Sequence, residues 1–406
     1  MSPSRGPLLR LLHRPPTRTL STLSTLSTLR TLLPTTTRLQ IYLSTSTTPA
    51  TNLSLEHHLL TASHPSTTAL LLYTNTPSII LGRNQNPWLE ANLPLLGSSS
   101  NSHSNTESAP TLLRRRSGGG TVFHDLGNVN YSVTMPTATF DRDRHARVVV
   151  RALRRLGAAE AVVNKRHDIV LLPAGAGVAE EKLGGEAPDG TRKRSYHHGT
   201  MLLSAALGEV GVWLRGVAGG WMAGRGVGSV RSPVANVGVG REAFVRGVVE
   251  EMGREYLGER GAEMVGRAME DGEEGEGEEV GVCYVSEEEA LAVPEIRKGA
   301  EELKSVQWTY GQTPQLTFSV PPPDGAAELL EGAPLPPEGV RFSITANKGV
   351  VEKVESELEC MQGLVGLRFD GGVINDHIST FGDAPEGLGE WIEGVLGRTE
   401  WGESAE

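Results

Sequence analysis

Apolar residues recur along the chain at the two spacings that distinguish strands from helices. Short aliphatic runs bounded by Asn, Pro or Gly predict strands at residues 69–73 and 78–81. A period of 3.6 residues, with arginines on the other face, predicts a helix at residues 145–156, and a similar pattern predicts one at 241–256. We expect further strands at residues 169–172, 201–204, 315–320, 339–345, 349–354 and 366–370, and further helices at 54–62, 294–304 and 388–396.

This short alternation of strands and helices indicates a mixed α/β (α+β) fold. The pattern changes near residue 290, so we expect a larger domain at residues 51–290 and a small C-terminal α/β accessory domain at 291–406. Residues 270–279 place seven carboxylates among glycines, which predicts an acidic, disordered insert at about 268–282. A docking surface is the alternative interpretation of that insert.

The start of the chain differs in charge from the rest. Residues 1–55 contain six arginines and no Asp or Glu, whereas the whole chain has a formal charge of −11. An acid-free, Arg-spaced, Ser/Thr-rich start with regular leucines is typical of a mitochondrial transit peptide, which we predict for residues 1–50. A plain disordered tail is the alternative. The transit peptide predicts localisation in the mitochondrial matrix.

Composition excludes several classes of protein. A net charge of −11 argues against nucleic acid and anionic membranes as partners. Cys283 and Cys360 lie far apart, which excludes a disulfide framework and a cysteine-based metal site. No apolar run approaches the roughly 18–20 residues that a membrane span requires.

A glycine triplet carries the densest chemical signal, in the run RRRSGGGTVFHDLGN at residues 114–128. Three glycines allow the backbone to approach a ligand closely and let successive N–H groups form an anion cradle. The neighbouring arginines offer forked donors to phosphate or carboxylate. The run is neither a P-loop nor a dinucleotide-binding fingerprint, and a tight turn with solvated arginines remains the alternative.

This block resembles the signature of the lipoate–protein ligase A family, in the form seen in fungal mitochondrial members. Other segments of the chain match the family in order: residues 82–90, Asn164 with Asp168-Ile169, and residues 196–203, 229–236 and 308–314. The similarity covers roughly residues 52–320. It implies a biotin/lipoate-ligase-type catalytic domain, followed by the accessory domain.

The resemblance also implies a function. Family members join lipoate to ATP, release pyrophosphate, hold lipoyl-AMP and pass the lipoyl group to a lysine of a carrier. The implied partners are the lipoyl domains of 2-oxo acid dehydrogenase acyltransferase subunits and the glycine cleavage H protein, and the implied cofactors are ATP and Mg²⁺. The implied catalytic residue is Lys182, and the implied metal ligand is Asp168. The implied substrate- and nucleotide-binding residues are Arg115, Ser117, Gly118, Gly119, Gly120, His124, Asn128, Gly185 and His198.

The chain departs from the family pattern just after Lys182. Gly184 replaces the family serine, and Asp189 stands where the family places arginine. A negative charge beside a triphosphate is unfavourable, so ATP activation is in question. Two alternatives therefore stand beside a full ligase: a lipoyl or octanoyl transferase without ATP activation, and a non-catalytic lipoate-binding assembly factor. Neither cysteine lies near the glycine triplet in sequence, which disfavours a cysteine nucleophile, and biotin ligation is a weaker alternative.

The acyl-transfer step makes one further demand. The acceptor lysine must lose a proton before it attacks, because its pKa is near 10.4. A local base or the departing AMP must take that proton, and the sequence does not identify which.

Overall fold

The computed structural model describes residues 37–97, 109–172, 194–230, 232–271, 279–323 and 333–399. Within these ranges the strands are β1 Leu39–Ser44, β2 Thr68–Tyr73, β3 Ser78–Leu81, β4 Thr111–Arg114, β5 Val122–His124, β6 Asn128–Pro136, β7 Ala161–Val163, β8 Ile169–Leu171, β9 Arg194–Leu202, β10 Met222–Gly224, β11 Val280–Val285, β12 Leu316–Val320, β13 Phe342–Asn347 and β14 Val350–Ser356. The helices are α1 Pro49–Ala62, α2 Pro87–Glu90, α3 Leu93–Gly97, α4 Arg142–Arg155, α5 Leu207–Trp213, α6 Arg241–Asp271, α7 Glu287–Ala292, α8 Pro294–Lys304, α9 Val306–Gly311, α10 Glu359–Gln362, α11 Gly371–Ile378 and α12 Leu388–Leu396.

The central sheet has the strand order β11-β1-β2-β6-β9. β1 runs parallel to both β11 and β2, and β2, β6 and β9 pair antiparallel. One face of the sheet packs on α4 and α6 through a large apolar core, and α1 lies on the other face. The sheet therefore has a buried apolar face on one side and a face shared with α1 on the other.

The expectation of disorder over residues 1–50 is wrong from β1 onward. β1 is almost fully buried between two neighbouring strands, and Pro49 begins α1. The six-residue run LQIYLS follows directly on the Ser/Thr-rich stretch. The average composition of residues 1–50 therefore did not reveal this strand.

A three-stranded sheet with the order β4-β3-β5 carries the glycine triplet. β4 runs parallel to β3 on one side, and β5 runs antiparallel to it on the other side. Residues 115–121, which connect β4 to β5, must therefore cross the end of β3. A side chain at Gly82, immediately after β3, would lie 1.9 Å from the carbonyl oxygen of Gly119. Glycine is therefore required at position 82 for the crossing.

The C-terminal part contains the antiparallel sheet β10-β12-β13-β14 together with α10, α11 and α12. The predicted boundary at residue 290 needs correction, because α8 and α9 pack on the catalytic part through Ala300, Leu303 and Trp308. In addition, β10 comes from the catalytic part and forms the edge of the C-terminal sheet. The two regions share one apolar core around Trp88 and Phe369, whose rings lie 4.9 Å apart.

Several predicted elements have other bounds in the structure. The insert expected at 268–282 is shorter, because α6 continues to Asp271 and β11 begins at Val280; residues 272–278 lie outside the described ranges. A strand predicted at 366–370 is wrong: Phe369 is buried in the core, and Asp370 caps α11 by accepting a hydrogen bond from the Val373 N–H. The mixed α/β class is confirmed. No helix in the described ranges has the length and apolar character to cross a membrane.

The position of β1 predicts the result of a truncation. A chain beginning at Thr51 lacks a strand that lies between β2 and β11, so we expect no cooperative unfolding transition and little soluble protein. A chain beginning at Thr37 keeps β1 and serves as the matched control. Circular dichroism during heating compares the two, and an equal melting temperature for both would contradict the assignment of β1 to the core.

Candidate active site

The loop of residues 115–121 is organised around the buried guanidinium of Arg115. Nη2 donates to the carbonyl oxygens of Gly118 and Gly120, both at 2.7 Å, and Nη1 donates to that of Ile80 at 3.1 Å. Nε donates to Ser117 Oγ at 3.0 Å. Since these carbonyls are held by one rigid group, the loop has a fixed shape.

The glycine amides of this loop are available to a ligand. Within the part of the chain that the structure describes, the N–H groups of Gly118, Gly119 and Gly120 have no hydrogen-bond acceptor. Gly118 and Gly119 are also exposed, and Gly119 has a φ of 92°, a conformation that favours glycine. Clustered N–H groups of this kind bind anions, which agrees with the cradle expected from the sequence.

Arg114 holds the turn that follows β3. Its side chain is completely buried, and Nη1 donates to the carbonyl oxygens of Gly82, Arg83 and Gln85. Nε and Nη2 reach the segment after α8 through Thr309 O and Thr313 Oγ1. Burial lowers the pKa of Arg114 to about 10, so the group remains charged at neutral pH.

Gln85 and Ser229 connect two of the recognised segments to the glycine loop. Gln85 Oε1 accepts hydrogen bonds from Gly82 N at 2.9 Å and from Thr121 Oγ1 at 2.7 Å, while its Nε2 donates to Ser229 Oγ at 2.9 Å. Ser229 Oγ also accepts from Thr121 N at 2.8 Å. Residues 82–90 and 229–236, far apart in sequence, therefore meet at this loop.

The strand β9 brings His198 to the same place. Its Nε2 lies 3.4 Å from Ser117 Oγ, and its Nδ1 lies 3.2 Å from Glu56 Oε1 on α1. Glu56 is almost fully buried and also accepts a hydrogen bond from the Tyr73 hydroxyl at 3.4 Å. Burial and the nearby Glu56 raise the pKa of Tyr73 well above its usual value, so it remains a proton donor.

The sheet face around His198 is polar. Residues on β6 and β9 that share this face, called here the polar face, are Asn130, Ser132, Tyr196, His198 and Thr200. Ser132 lies directly opposite His198, and Ser132 Oγ and Asn130 Nδ2 are buried without a partner among the described residues. Such atoms are costly to leave unpaired, which points to a water or a polar ligand group there.

His124 and Asn128 lie beneath the surface, and the nucleotide contacts expected of them from the resemblance stay a prediction. The His124 ring is held by Asn75 Nδ2 at 3.0 Å and by Thr200 Oγ1 at 3.2 Å. Asn128 is fully buried, and its Oδ1 accepts from Asp125 N at 2.6 Å. Local alternation could not reveal that both faces of this segment are covered. Both residues lie in the segment that follows the loop, with hydrogen-bond partners inside the protein.

Asp168, the predicted metal ligand, lies at the turn between β7 and β8 with about half of its side chain exposed. Its Oδ2 lies 3.6 Å from Arg166 Nε, and Arg166 Nη1 donates to Ser232 Oγ at 3.3 Å. The described residues contain no group of three His, Cys, Asp or Glu side chains able to hold a metal. One carboxylate fits Mg²⁺ when substrate phosphates and water supply the other ligands.

Apart from Asp168, which lies at the turn between β7 and β8, the predicted site residues thus fall into three groups. Arg115, Ser117, Gly118–Gly120 and His198 come together, and His124 and Asn128 lie below them. Lys182 and Gly185, with the departures at Gly184 and Asp189, lie outside the described residues. Glu56, Gln85 and Ser229 complete the site although the sequence did not single out their roles. The segments at 82–90 and 229–236 were the available signal for the last two.

Comparison with known proteins identifies the family of this chain. The sequence model of the lipoyl protein ligase A/B catalytic domain matches residues 48–256. The chain belongs to this family, as the resemblance predicted. A Schizosaccharomyces pombe protein named "Putative lipoate-protein ligase A" is 38% identical over 283 residues, which cover 68% of this chain and 71% of that protein.

Two other similarities extend the comparison. A Bdellovibrio bacteriovorus lipoate-protein ligase A is 30% identical over 287 residues, covering 70% of this chain and 74% of that protein. A solved structure of Plasmodium falciparum LipL1 in complex with lipoate is 19% identical and covers 88% of this chain and 99% of that one, with a TM-score of 0.47.

Arg115→Lys tests the support of the glycine loop. A lysine ammonium cannot reach three carbonyls and Ser117 at once, so we expect the free energy of unfolding to fall by roughly 1–3 kcal/mol. Amide hydrogen exchange at residues 118–121 should become faster. Arg116→Lys is the matched control, because Arg116 is in the same loop but its side chain pairs with Glu302 on α8. Equal effects of the two variants would contradict the role of Arg115.

The buried histidines predict a pH dependence of stability. Burial, with a smaller effect of Arg115, lowers the pKa of His124 to about 3, and burial lowers that of His145 to about 3. The unfolded chain binds these protons near pH 6.5, but the folded protein does not, so stability is retained above pH 6.5 and lost as the pH falls toward 3.

Each of these histidines should contribute about 1.4 kcal/mol of lost stability per pH unit in that window. Urea unfolding of His124→Gln and His145→Gln at pH 7, 6 and 5 measures the contributions. Each variant should flatten the pH dependence of the free energy of unfolding by a similar amount, and an unchanged slope in both would show that folding does not lower the pKa values of the two rings.

Proposed function

We propose that this protein is a lipoate–protein ligase that activates lipoate with ATP to lipoyl-AMP and transfers the lipoyl group to a lysine of a carrier domain. The observation that carries the proposal is the glycine loop. Three N–H groups without an acceptor among the described residues lie in a loop fixed by Arg115, where Ser117 contacts His198, and the chain belongs to the lipoyl protein ligase A/B family.

The loop suits the charge that develops in both half-reactions. When the lipoate carboxylate attacks the α-phosphorus, two anions are brought together and pyrophosphate leaves. When the carrier lysine attacks the lipoyl carbonyl, negative charge grows on the acyl oxygen. Donors that are already oriented stabilise such charge without a reorganisation cost. The N–H groups of Gly118–Gly120 are donors of this kind, and the Ser117 hydroxyl lies beside them.

Lys182 and Asp168 complete the proposal. The Lys182 ammonium supplies a movable positive charge to the α-phosphate and the acyl oxygen. Mg²⁺, held by Asp168 together with substrate phosphates, would neutralise phosphate charge. The segment around Lys182 follows β8, whose hairpin contacts the 229–236 segment through Arg166 and Ser232, and this contact supports the inclusion of the hairpin in the site.

We further propose that the carriers are the lipoyl domains of 2-oxo acid dehydrogenase acyltransferase subunits and the glycine cleavage H protein, in the mitochondrial matrix. The basis is the acid-free, arginine-spaced start of the sequence and the family membership.

A transferase that does not use ATP is the second candidate. The observation in its favour is the pair of departures at Gly184 and Asp189, which replace a polar and a cationic position of the family pattern by glycine and an anion. Such an enzyme would accept the acyl group from a preformed adenylate or from another carrier.

Lipoate-dependent ATP–pyrophosphate exchange separates these candidates. We expect exchange with the protein beginning at Thr37, and a loss of about 10²-fold or more in Lys182→Ala, because a charge on the transferring phosphate is removed. Lys353→Ala, on β14, is the control and should retain activity. Transfer from synthetic lipoyl-AMP without any exchange would favour the second candidate, and no modification of a carrier by any donor would refute both.

A further inference from the structure

A row of three side chains joins α1, β9 and the glycine loop. Glu56 contacts His198 Nδ1 at 3.2 Å, and His198 Nε2 lies 3.4 Å from Ser117 Oγ. The carboxylate is 3% exposed and the imidazole 28% exposed, so of these two side chains only the histidine has access to solvent. The row therefore leads from a buried anion to the place where the acyl group is proposed to bind.

The carboxylate determines which nitrogen of His198 carries the proton. An ionised carboxylate only accepts hydrogen bonds, so Nδ1 must donate to Glu56. In the neutral ring, the Nε2 lone pair then faces the glycine loop, where it can accept a hydrogen bond from the Ser117 hydroxyl. His198 is thus oriented as a proton acceptor at the open end of the row.

The groups around His198 suit this task. Tyr73 donates to Glu56, and Tyr196 packs edge-on against the imidazole with ring centroids 5.4 Å apart. His124 is neutral because of its lowered pKa, and the charge of Arg115 is directed into the loop carbonyls. The nearest anion that can stabilise a protonated His198 is therefore Glu56.

Only one of the two half-reactions needs a base. A lipoate carboxyl group is already ionised at neutral pH, since ordinary carboxyl pKa values are near 4. A carrier lysine has a pKa near 10.4 and arrives as an ammonium ion, which has no lone pair for attack. A base beside the acyl group would thus act in transfer and be idle in activation.

We propose that His198, held in its orientation by Glu56, is the base that deprotonates the acceptor lysine. The inference rests on the proposed function and adds the proton acceptor. The ammonium gives one proton to Nε2, the nitrogen lone pair forms the C–N bond to the acyl carbon, and the acyl C–O bond to AMP breaks. AMP leaves with that electron pair, and the second nitrogen proton passes to water. His198 returns its own proton to solvent.

The test compares the two half-reactions in His198→Gln. We expect single-turnover transfer from synthetic lipoyl-AMP to an apo lipoyl domain at pH 7.5 to fall about 10²–10⁴-fold further than lipoate-dependent ATP–pyrophosphate exchange does, because only transfer needs a base. Transfer by the variant should rise about tenfold per pH unit toward the wild-type rate, because only free amine formed in solution then reacts.

Two further variants distinguish a base from a structural residue. His197→Gln is the matched control on the same strand, since its side chain lies on the opposite face beside Tyr131, and the ratio of transfer to exchange should equal that of the wild type. Glu56→Gln should lower the ratio of transfer to exchange, but by less than His198→Gln does, because a neutral amide cannot stabilise imidazolium. Melting temperatures verify that each variant is folded.

The possible outcomes separate this inference from the proposed function. Equal losses in both half-reactions, or an unchanged pH profile of transfer in His198→Gln, would overturn the role of His198. If the wild type transfers from lipoyl-AMP but shows no exchange, ATP activation is refuted, and the transfer profiles still decide the base. If the wild type transfers from no donor, both proposals fail.

Discussion

Two consecutive arginines support the whole site, and within the described residues their guanidinium groups donate to backbone carbonyls and hydroxyl oxygens. Arg114 binds the turn after β3, and Arg115 binds the glycine loop that crosses it. A buried charge is tolerated only when its N–H groups all find hydrogen-bond acceptors. Each guanidinium therefore requires the backbone around it to take one particular conformation. Gly82 and Gly119 allow the two backbone segments to pass each other at close range. The exposed amides of the loop follow from this arrangement, because its carbonyls are turned toward Arg115.

The central sheet completes the site by having two different faces. β6 and β9 bury apolar side chains against α4 and α6 on one face. Their alternate residues form the polar face, beside α1 with Glu56. Polar contacts thus extend from α1 through β9 to the glycine loop. They leave the apolar core intact, because successive residues of a strand point to opposite faces of the sheet. The His198 side chain is at the point where these elements meet.

Sequence alone located the site but did not supply all of its members. Residues 115–120 could be recognised because a single continuous run carries the loop. Glu56 and Gln85 could not be assigned roles, since their partners His198 and Ser229 lie 142 and 144 residues away. The burial of His124 and Asn128 also follows from tertiary packing, which a local pattern does not record. In the same way, β1 was concealed within a segment whose overall composition is that of a leader.

The pairing of β1 has a consequence for the order in which the polypeptide can assemble. Its two partners are β2, which follows closely, and β11, which ends at Val285. During synthesis on the ribosome, β1 and β2 are both present long before β11 emerges, and one edge of β1 stays open throughout that interval. Open strand edges recruit other chains, and distant parallel pairings form slowly. A nascent chain of this protein is therefore most prone to aggregation before its last sheet partner has been translated, and chaperone binding at that stage would protect it.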